Sequence, residues 1–182
     1  MKEVRGRHLV VYSDGACRKN GKGACGALVT EDSQVLVALS FALKNTTNNQ
    51  MEISGAMLGL QAALQLLIDA DQDVQRFSVK NSSITVITDS EYTKKGISEW
   101  IKNWKKRGWR SASGEPVKNK ELWQLFDDLT SAAKKHVHQI TFEWVRGHNG
   151  NPLNEGADYI STAAIDDEVD FDALVQRVQK HD

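Results

Sequence analysis

His8-Leu9-Val10-Val11-Tyr12-Ser13-Asp14 is an apolar run that ends on an acid, and the segments after it decide the fold. The run reads as a buried strand, closed by the turn-forming stretch from Gly15 to Gly23. Ala24 to Thr30 is apolar enough to be its hairpin partner, and Gln34 to Leu43 is a third strand. Strands joined by turns this short are antiparallel. The polar loop Asn45-Thr46-Thr47-Asn48-Asn49 then leads into a helix from about Gln50 to Ala70. Its Ile53, Met57, Leu60, Leu64 and Leu67 follow the spacing of one helical face. Ile84 to Thr88 is a β-branched strand reached through a helix-length crossover, which makes it parallel to the first.

Working outward, helical segments follow that are broken at Gly96, then Trp-rich segments broken at Gly108 and Gly114. Glu121 to His136 is a further helix and Gln139 to Val145 a fifth strand. After the Gly147–Pro152 loop, Asn154 caps a helix running to about Ile165. The expected fold is α/β: a mixed five-stranded sheet, three strands antiparallel plus two parallel, flanked by helices. Residues 1–165 form one domain. Residues 166–182 form an acidic tail in which Phe171, Leu174, Val175 and Val178 mark a short amphipathic helix. The polar stretch Asp69–Ser83 reads as a surface excursion.

The chain has 182 residues, 40% of them hydrophobic, enough to bury roughly 70% of its unfolded surface without a disulfide or structural metal. Cys17 and Cys25 are too few for a disulfide scaffold or a Cys-rich zinc site, and they suit a reducing compartment. No apolar run approaches the ~20 residues of a membrane span. The opening residues are charged and lack the long apolar stretch of a signal peptide, so a cytoplasmic location away from membranes is expected. The net charge of -1 hides an uneven distribution. Between Lys94 and Lys120 lie nine basic residues against Glu99 and Glu115, whereas Asp166, Asp167, Glu168, Asp170, Asp172 and Asp182 face only Arg177 and Lys180. One segment attracts phosphate and the other repels it.

Four acids sit where acids are costly. Asp14 and Asp89 each end an apolar strand. Glu52 lies in the first turn of its helix, on the stripe of small residues Ala56, Gly59 and Ala63 that would let the helix approach the sheet. Asp158 lies near the start of the last helix, beside Ala157 and Ile160. The helix N-termini ease Glu52 and Asp158 by ~0.3–1 kcal/mol each, and nothing comparable eases the aspartates on the strands. Three of the acids have an ordinary alternative, with Asp14 starting a turn, Asp89 capping a helix and Glu52 completing a cap. Yet parallel neighbouring strands would bring Asp14 and Asp89 together, where like charges need a cation or a raised pKa. Hard oxygen ligands of this kind suit magnesium or manganese rather than zinc.

Five segments together resemble type 1 ribonuclease H, in order and with fitting spacing over about residues 8–165. They are Tyr12-Ser13-Asp14-Gly15-Ala16, Thr46-Thr47-Asn48-Asn49-Gln50-Met51-Glu52, Thr88-Asp89-Ser90, Val145-Arg146-Gly147-His148-Asn149-Gly150-Asn151, and a basic protrusion of the bacterial form. The protrusion comprises Asn103-Trp104-Lys105-Lys106-Arg107-Gly108-Trp109 and Pro116-Val117-Lys118-Asn119. The resemblance implies an endonuclease that hydrolyses the RNA strand of RNA–DNA hybrids by a two-metal mechanism, leaving 3′-hydroxyl and 5′-phosphate ends. By matched position, Asp14, Glu52, Asp89 and Asp158 bind two Mg2+ ions, with Mn2+ a substitute, and Asp14 bridges both. His148 matches the histidine that aids proton transfer or product release.

Substrate contacts follow from the same resemblance. Cys17, Asn20, Asn48 and Asn49 match minor-groove contacts, where 2′-hydroxyls distinguish RNA from DNA. Thr47 and Asn119 match residues that hold a DNA phosphate, and Lys105, Lys106 and Arg107 belong to the grip. Trp100 and Trp104 fit a core stripe with Ile97 and Ile101, an aromatic face for the DNA backbone, or both; Cys17 and Cys25 also fit small buried hydrophobes. Asn45 stands where the family carries an arginine, and the turn from Arg18 to Ala24 is more basic than the family pattern. A non-catalytic hybrid-binding protein and a DNA-directed nuclease are the competing classes. Intact acids at all four positions argue against the first, and the basic Trp-rich segment with Asn48-Asn49 argues against the second. A monomer is expected.

Overall fold

The computed structural model describes residues 4–73 and 77–179. Its sheet contains β1 (His8–Cys17), β2 (Gly23–Glu31), β3 (Gln34–Leu43), β4 (Ser83–Thr88) and β5 (Gln139–Trp144), in the order β3-β2-β1-β4-β5. β1, β2 and β3 pair antiparallel, while β4 runs parallel to β1 and β5 parallel to β4. The expected mixed sheet is present.

Strand alternation sends successive side chains to opposite faces, and each face has its own core. Leu9, Val11, Val29, Ile84 and Val86 pack under α1 (Asn48–Asp73), together with Trp123 and Phe126 of α4 (Lys120–Ala133). Leu28 packs on the other face against Leu153 and Ile160 of α5 (Pro152–Ala164) and Leu174 of α6 (Phe171–Gln179). The tail therefore carries the expected short helix, and its Leu174 is docked on the body. The Phe171 side chain and residues 180–182 lie outside the described residues.

Several boundaries differ from the sequence reading, each for a local reason. β1 continues to Cys17, because its pairing with β2 extends to Cys17↔Gly23 while its pairing with β4 stops at Ser13↔Thr88. Asp14 thus lies inside a strand, at the point where β1 outruns its parallel neighbour. α1 starts at Asn48 because Thr47 and Gln50 form a reciprocal cap: the Gln50 N–H donates to Thr47 Oγ1 (3.3 Å) and the Thr47 N–H to Gln50 Oε1 (3.1 Å). Glu52 consequently lies in the second turn, beyond the best reach of the helix dipole.

α5 is capped by Asn151, whose Oδ1 accepts from the N–H groups of Leu153 (3.0 Å) and Asn154 (3.2 Å), with Pro152 in the first turn. Asp158 is therefore mid-helix, and Asn154 is buried rather than capping. Gly96 does not break the helix. α2 (Glu91–Lys95) passes through a π-helical turn, Gly96–Trp100, into α3 (Ile101–Lys106). A Cβ at Gly96 would meet Trp123 Cη2 at 2.1 Å, so the glycine is required by packing.

α1 also departs from expectation in reaching a span-like length and a mean hydropathy of 1.4, yet half of that stretch is buried in the core. The stretch 69–83 holds the end of α1, an Arg5↔Phe77 bridge and a 3₁₀ turn, Val79–Asn81. Its residues 74–76 lie outside the described residues.

Candidate active site

Four elements carry the four acids to one end of the sheet. Because Ser13 pairs with Thr88, the next residues, Asp14 of β1 and Asp89 after β4, emerge side by side. α1 comes in close: a Cβ on Gly15 would lie 2.2 Å from the Glu52 backbone nitrogen, so only glycine allows the approach. α5 brings Asp158 across the other face.

Asp14 is 7% exposed, and its carboxyl is pushed up to about 7. Burial is the main cause and the Asp89 carboxylate the second; Asp158 adds repulsion, while hydrogen bonds from Ser161 and the Gly15 backbone oppose the rise. Glu52 is raised too, by burial first and by Asp89 as well, against hydrogen bonds that favour its ionised form. Among the described residues, no lysine or arginine forms an ion pair with any of the four acids.

Neutral donors hold these carboxylates instead. Ser161 Oγ reaches Asp14 Oδ2 at 2.8 Å, Ser90 Oγ donates to Glu52 Oε2 at 2.5 Å, and Asn48 Nδ2 donates to Glu52 Oε1 at 2.8 Å. Asn154 Nδ2 donates to Asp89 Oδ2 at 3.4 Å. Ser90 at the same time caps α2 by accepting from the Thr93 N–H (3.2 Å). Ser161 was not singled out from sequence, and Asn154 was read as a helix cap. Ser90 entered only within the Thr88-Asp89-Ser90 segment, although it also carried a signal as a cap residue before Glu91 in the first turn.

Among the described residues, no three metal-ligating side chains already close on one point. The acids nevertheless fit a divalent cation: they are hard oxygen donors, mutually repelling, and lack a basic partner among the described residues. His148 lies on the β5–α5 loop with φ 51°, exposed, while the neighbouring Gly147 packs against Asp89 Oδ2. The loop is thus brought to the acids, and its imidazole faces solvent.

Hydrogen bonds tie several of the expected substrate residues to one another. The Thr46 N–H donates to Gly21 O (3.1 Å) and Cys17 Sγ to Thr46 O (3.3 Å), joining the first-hairpin turn with Asn20 to the segment Thr47-Asn48-Asn49. Asn45 has φ 57°, a left-handed conformation that asparagine adopts more readily than arginine. Asn119 also has a left-handed backbone, φ 58°, at the start of α4. Of the readings left open for Trp100 and Trp104, packing is observed. They pack in a cluster with Tyr92 and Trp123, with centroids 5.4–5.8 Å apart, and they line an open 250 Å³ groove with Asn103 and Arg107. Lys105 is engaged with Asp127 at 2.6 Å, whereas Lys106 and Arg107 form no ion pair among the described residues.

The RNase H family model matches residues 6–166. The chain belongs to the ribonuclease H family. A ribonuclease H of Pseudomonas savastanoi pv. phaseolicola is 42% identical over 158 residues, covering 86% of this chain and 92% of that protein. One from Polynucleobacter asymbioticus is 40% identical over 161 residues, covering 88% and 91%. In structure, the chain resembles LC9-RNase H1, a type 1 RNase H with the type 2 active-site motif. The TM-score is 0.69 at 23% identity, over 92% of this chain and 76% of that one. The chain is a type 1 ribonuclease H, an endonuclease that hydrolyses the RNA strand of RNA–DNA hybrids, and this family depends on divalent metal ions.

Proposed function

We propose that hydrolysis takes place at Asp14, Glu52, Asp89 and Asp158, with magnesium as the working ion and manganese able to replace it. The supporting observation is the convergence of four acids from four elements, two of them raised in pKa and none paired with a base among the described residues. Two divalent ions held there would activate water for in-line attack on the phosphodiester and stabilise the departing oxygen. Ser161, Ser90, Asn48 and Asn154 hold one oxygen or more of each neighbouring carboxylate, fixing which lone pairs face the cleft. His148, on its exposed loop beside Asp89, moves a proton or helps release the product.

Cys17, Asn20, Asn48 and Asn49 face the hybrid's minor groove, Thr47 and Asn119 hold a DNA phosphate, and Trp100, Trp104, Lys105, Lys106 and Arg107 grip the DNA strand. The protein acts as a cytoplasmic monomer, with residues 1–165 as the catalytic domain and 166–182 as an appended tail. Labelled RNA–DNA hybrid, duplex RNA and duplex DNA, each with and without magnesium, test this reading. Magnesium-dependent cleavage confined to the RNA of the hybrid, with 3′-hydroxyl and 5′-phosphate ends, is expected. Cleavage of duplex DNA, or hybrid cleavage unaffected by chelation, overturns it.

A further inference from the structure

Gln50 is absorbed by neither the metal cluster nor the grip, yet it joins two segments sixty-nine residues apart. The Thr47 backbone N–H can only donate, and it points at Gln50 Oε1 (3.1 Å), which also accepts from Thr46 Oγ1 (3.0 Å). That fixes which end of the Gln50 amide is oxygen. Its Nε2 therefore donates to Asn119 Oδ1 (3.2 Å), which fixes the Asn119 amide in turn. Asn119 Nδ2 donates to the Tyr92 hydroxyl (3.3 Å). The same hydroxyl accepts from Trp123 Nε1 (3.3 Å), another group that can only donate. The polarity is thus set from the Thr47 end, since a hydroxyl that accepts from Trp123 keeps its own proton and could serve either end of the Asn119 amide.

Four protons are left over: one on Gln50 Nε2, one on Asn119 Nδ2, one on the Tyr92 hydroxyl, and one on Thr47 Oγ1, which accepts from the Gln50 N–H. None has an acceptor among the described residues. Lys118 and Lys120 flank Asn119 in sequence. We propose that Gln50 is a positioning residue that sets the polarity of Asn119, so that an N–H group and not a carbonyl is presented to a phosphate of the DNA strand. This rests on the reading of Thr47 and Asn119 as the phosphate contacts.

The test uses hybrids with a single uncharged methylphosphonate placed in turn at each DNA phosphate near the cleavage site. In the parent protein one position should raise KM about tenfold, the loss of one hydrogen bond to a charged group. In Gln50→Glu the acceptor facing Asn119 Oδ1 should turn that amide round. KM on unmodified hybrid should then rise about tenfold with kcat within about twofold. The methylphosphonate penalty at that one position should disappear, and neutral Gln50→Met should lose most of it without an added charge.

Asn119→Asp provides an independent arm. It removes the N–H from the other side and should abolish the methylphosphonate penalty at the same position as Gln50→Glu does. Folding is checked by circular dichroism. If a Gln50 variant fails to fold, the Asn119→Asp profile decides: a penalty retained there overturns the proposal. A rise in KM that leaves the methylphosphonate penalty intact, or no change in KM at all, also overturns it. Parent protein that cleaves no hybrid would instead defeat the function proposed above, and parent that cleaves without any phosphate-sensitive position would defeat only this inference.

Discussion

Asp14 lies almost out of solvent beside two other acids, and the hydroxyl of Ser161 is its one side-chain hydrogen-bond donor among the described residues. Such a carboxyl is easier to bury neutral than ionised. Its folded-state value is about 7, against 3.8 for the free group. Between those values the folded protein holds a proton that the unfolded chain has lost, so this group's contribution to stability falls as pH rises from about 4 to about 7. Above that range the full cost of burying the charge is present. Asp14→Asn removes the charge and keeps the shape. With a chelator present, the variant should melt above the parent at about pH 8, and the gap should close as pH falls towards 4. Magnesium should raise the parent's Tm at the higher pH and leave the variant nearly unmoved. Cleavage by the variant should drop by several orders of magnitude while hybrid binding persists. Thermal melts across pH, with and without magnesium, check the first part; near-normal turnover would sink the metal assignment.

The continuous helix from Glu91 to Lys106 depends on Gly96, which lies flat against Trp123 within its π-helical turn. Gly96→Ala gains helix propensity of about 1 kcal/mol but forces a methyl group into the indole, an overpacking cost of about 1–3 kcal/mol. Trp123 is fully buried and bound to Tyr92 and Phe126 in one aromatic cluster, so it has little room to yield. A net loss of stability is expected in urea denaturation, with kcat less affected than KM because Asn119 and Trp104 border the same cluster. A variant as stable as the parent would show that the cluster gives way. This element also marks the limit of what sequence patterning reveals. Apolar and β-branched runs made the strands legible, β2 and β4 being buried almost throughout, and the 3.6-residue repeat did the same for α1. Gly96 reads as a breaker when only backbone freedom is considered; its real partner lies twenty-seven residues away and is invisible locally. The acids were legible because charge at the end of an apolar run is costly. Ser161 was not, since a serine in an amphipathic helix carries no signal until the strand beneath it is known, and Asn154 was read as a cap because asparagine also suits that position. The Thr47–Gln50 cap had a local signature and went unused.

At the scale of the whole molecule, the acidic tail and the basic surfaces are electrostatically opposed and physically joined. Arg18, in the first-hairpin turn, makes a two-pronged ion pair with Asp166, and Leu174 is buried on the far face of the sheet. Truncation after Ile165 should therefore destabilise the protein by at least the about 2–5 kcal/mol of a buried leucine cut to alanine. It should leave kcat intact and, by freeing Arg18, lower KM at low salt; a folded truncation that no longer cleaves would show that the tail completes the site. The grip follows the same logic. Lys106→Ala and Arg107→Ala each remove a charge with no ion-pair partner among the described residues, and each should flatten the slope of log affinity against log salt by ~0.7–0.9. Lys105 is different, because its ammonium already rests on Asp127 at 2.6 Å. To bind phosphate it must leave one anion for another, so Lys105→Ala should change the slope less than either neighbour. The triple variant should then lose a slope closer to two contacts than three, with KM raised and kcat nearly constant, as expected when binding is lost equally from ground and transition states. Salt titrations of hybrid binding for the three single variants and the triple decide it. Equal slope changes at all three positions would mean that Asp127 releases Lys105 to the DNA, and unchanged slopes at all three would move the grip to Arg18, Lys19 and Lys22 on the first-hairpin turn.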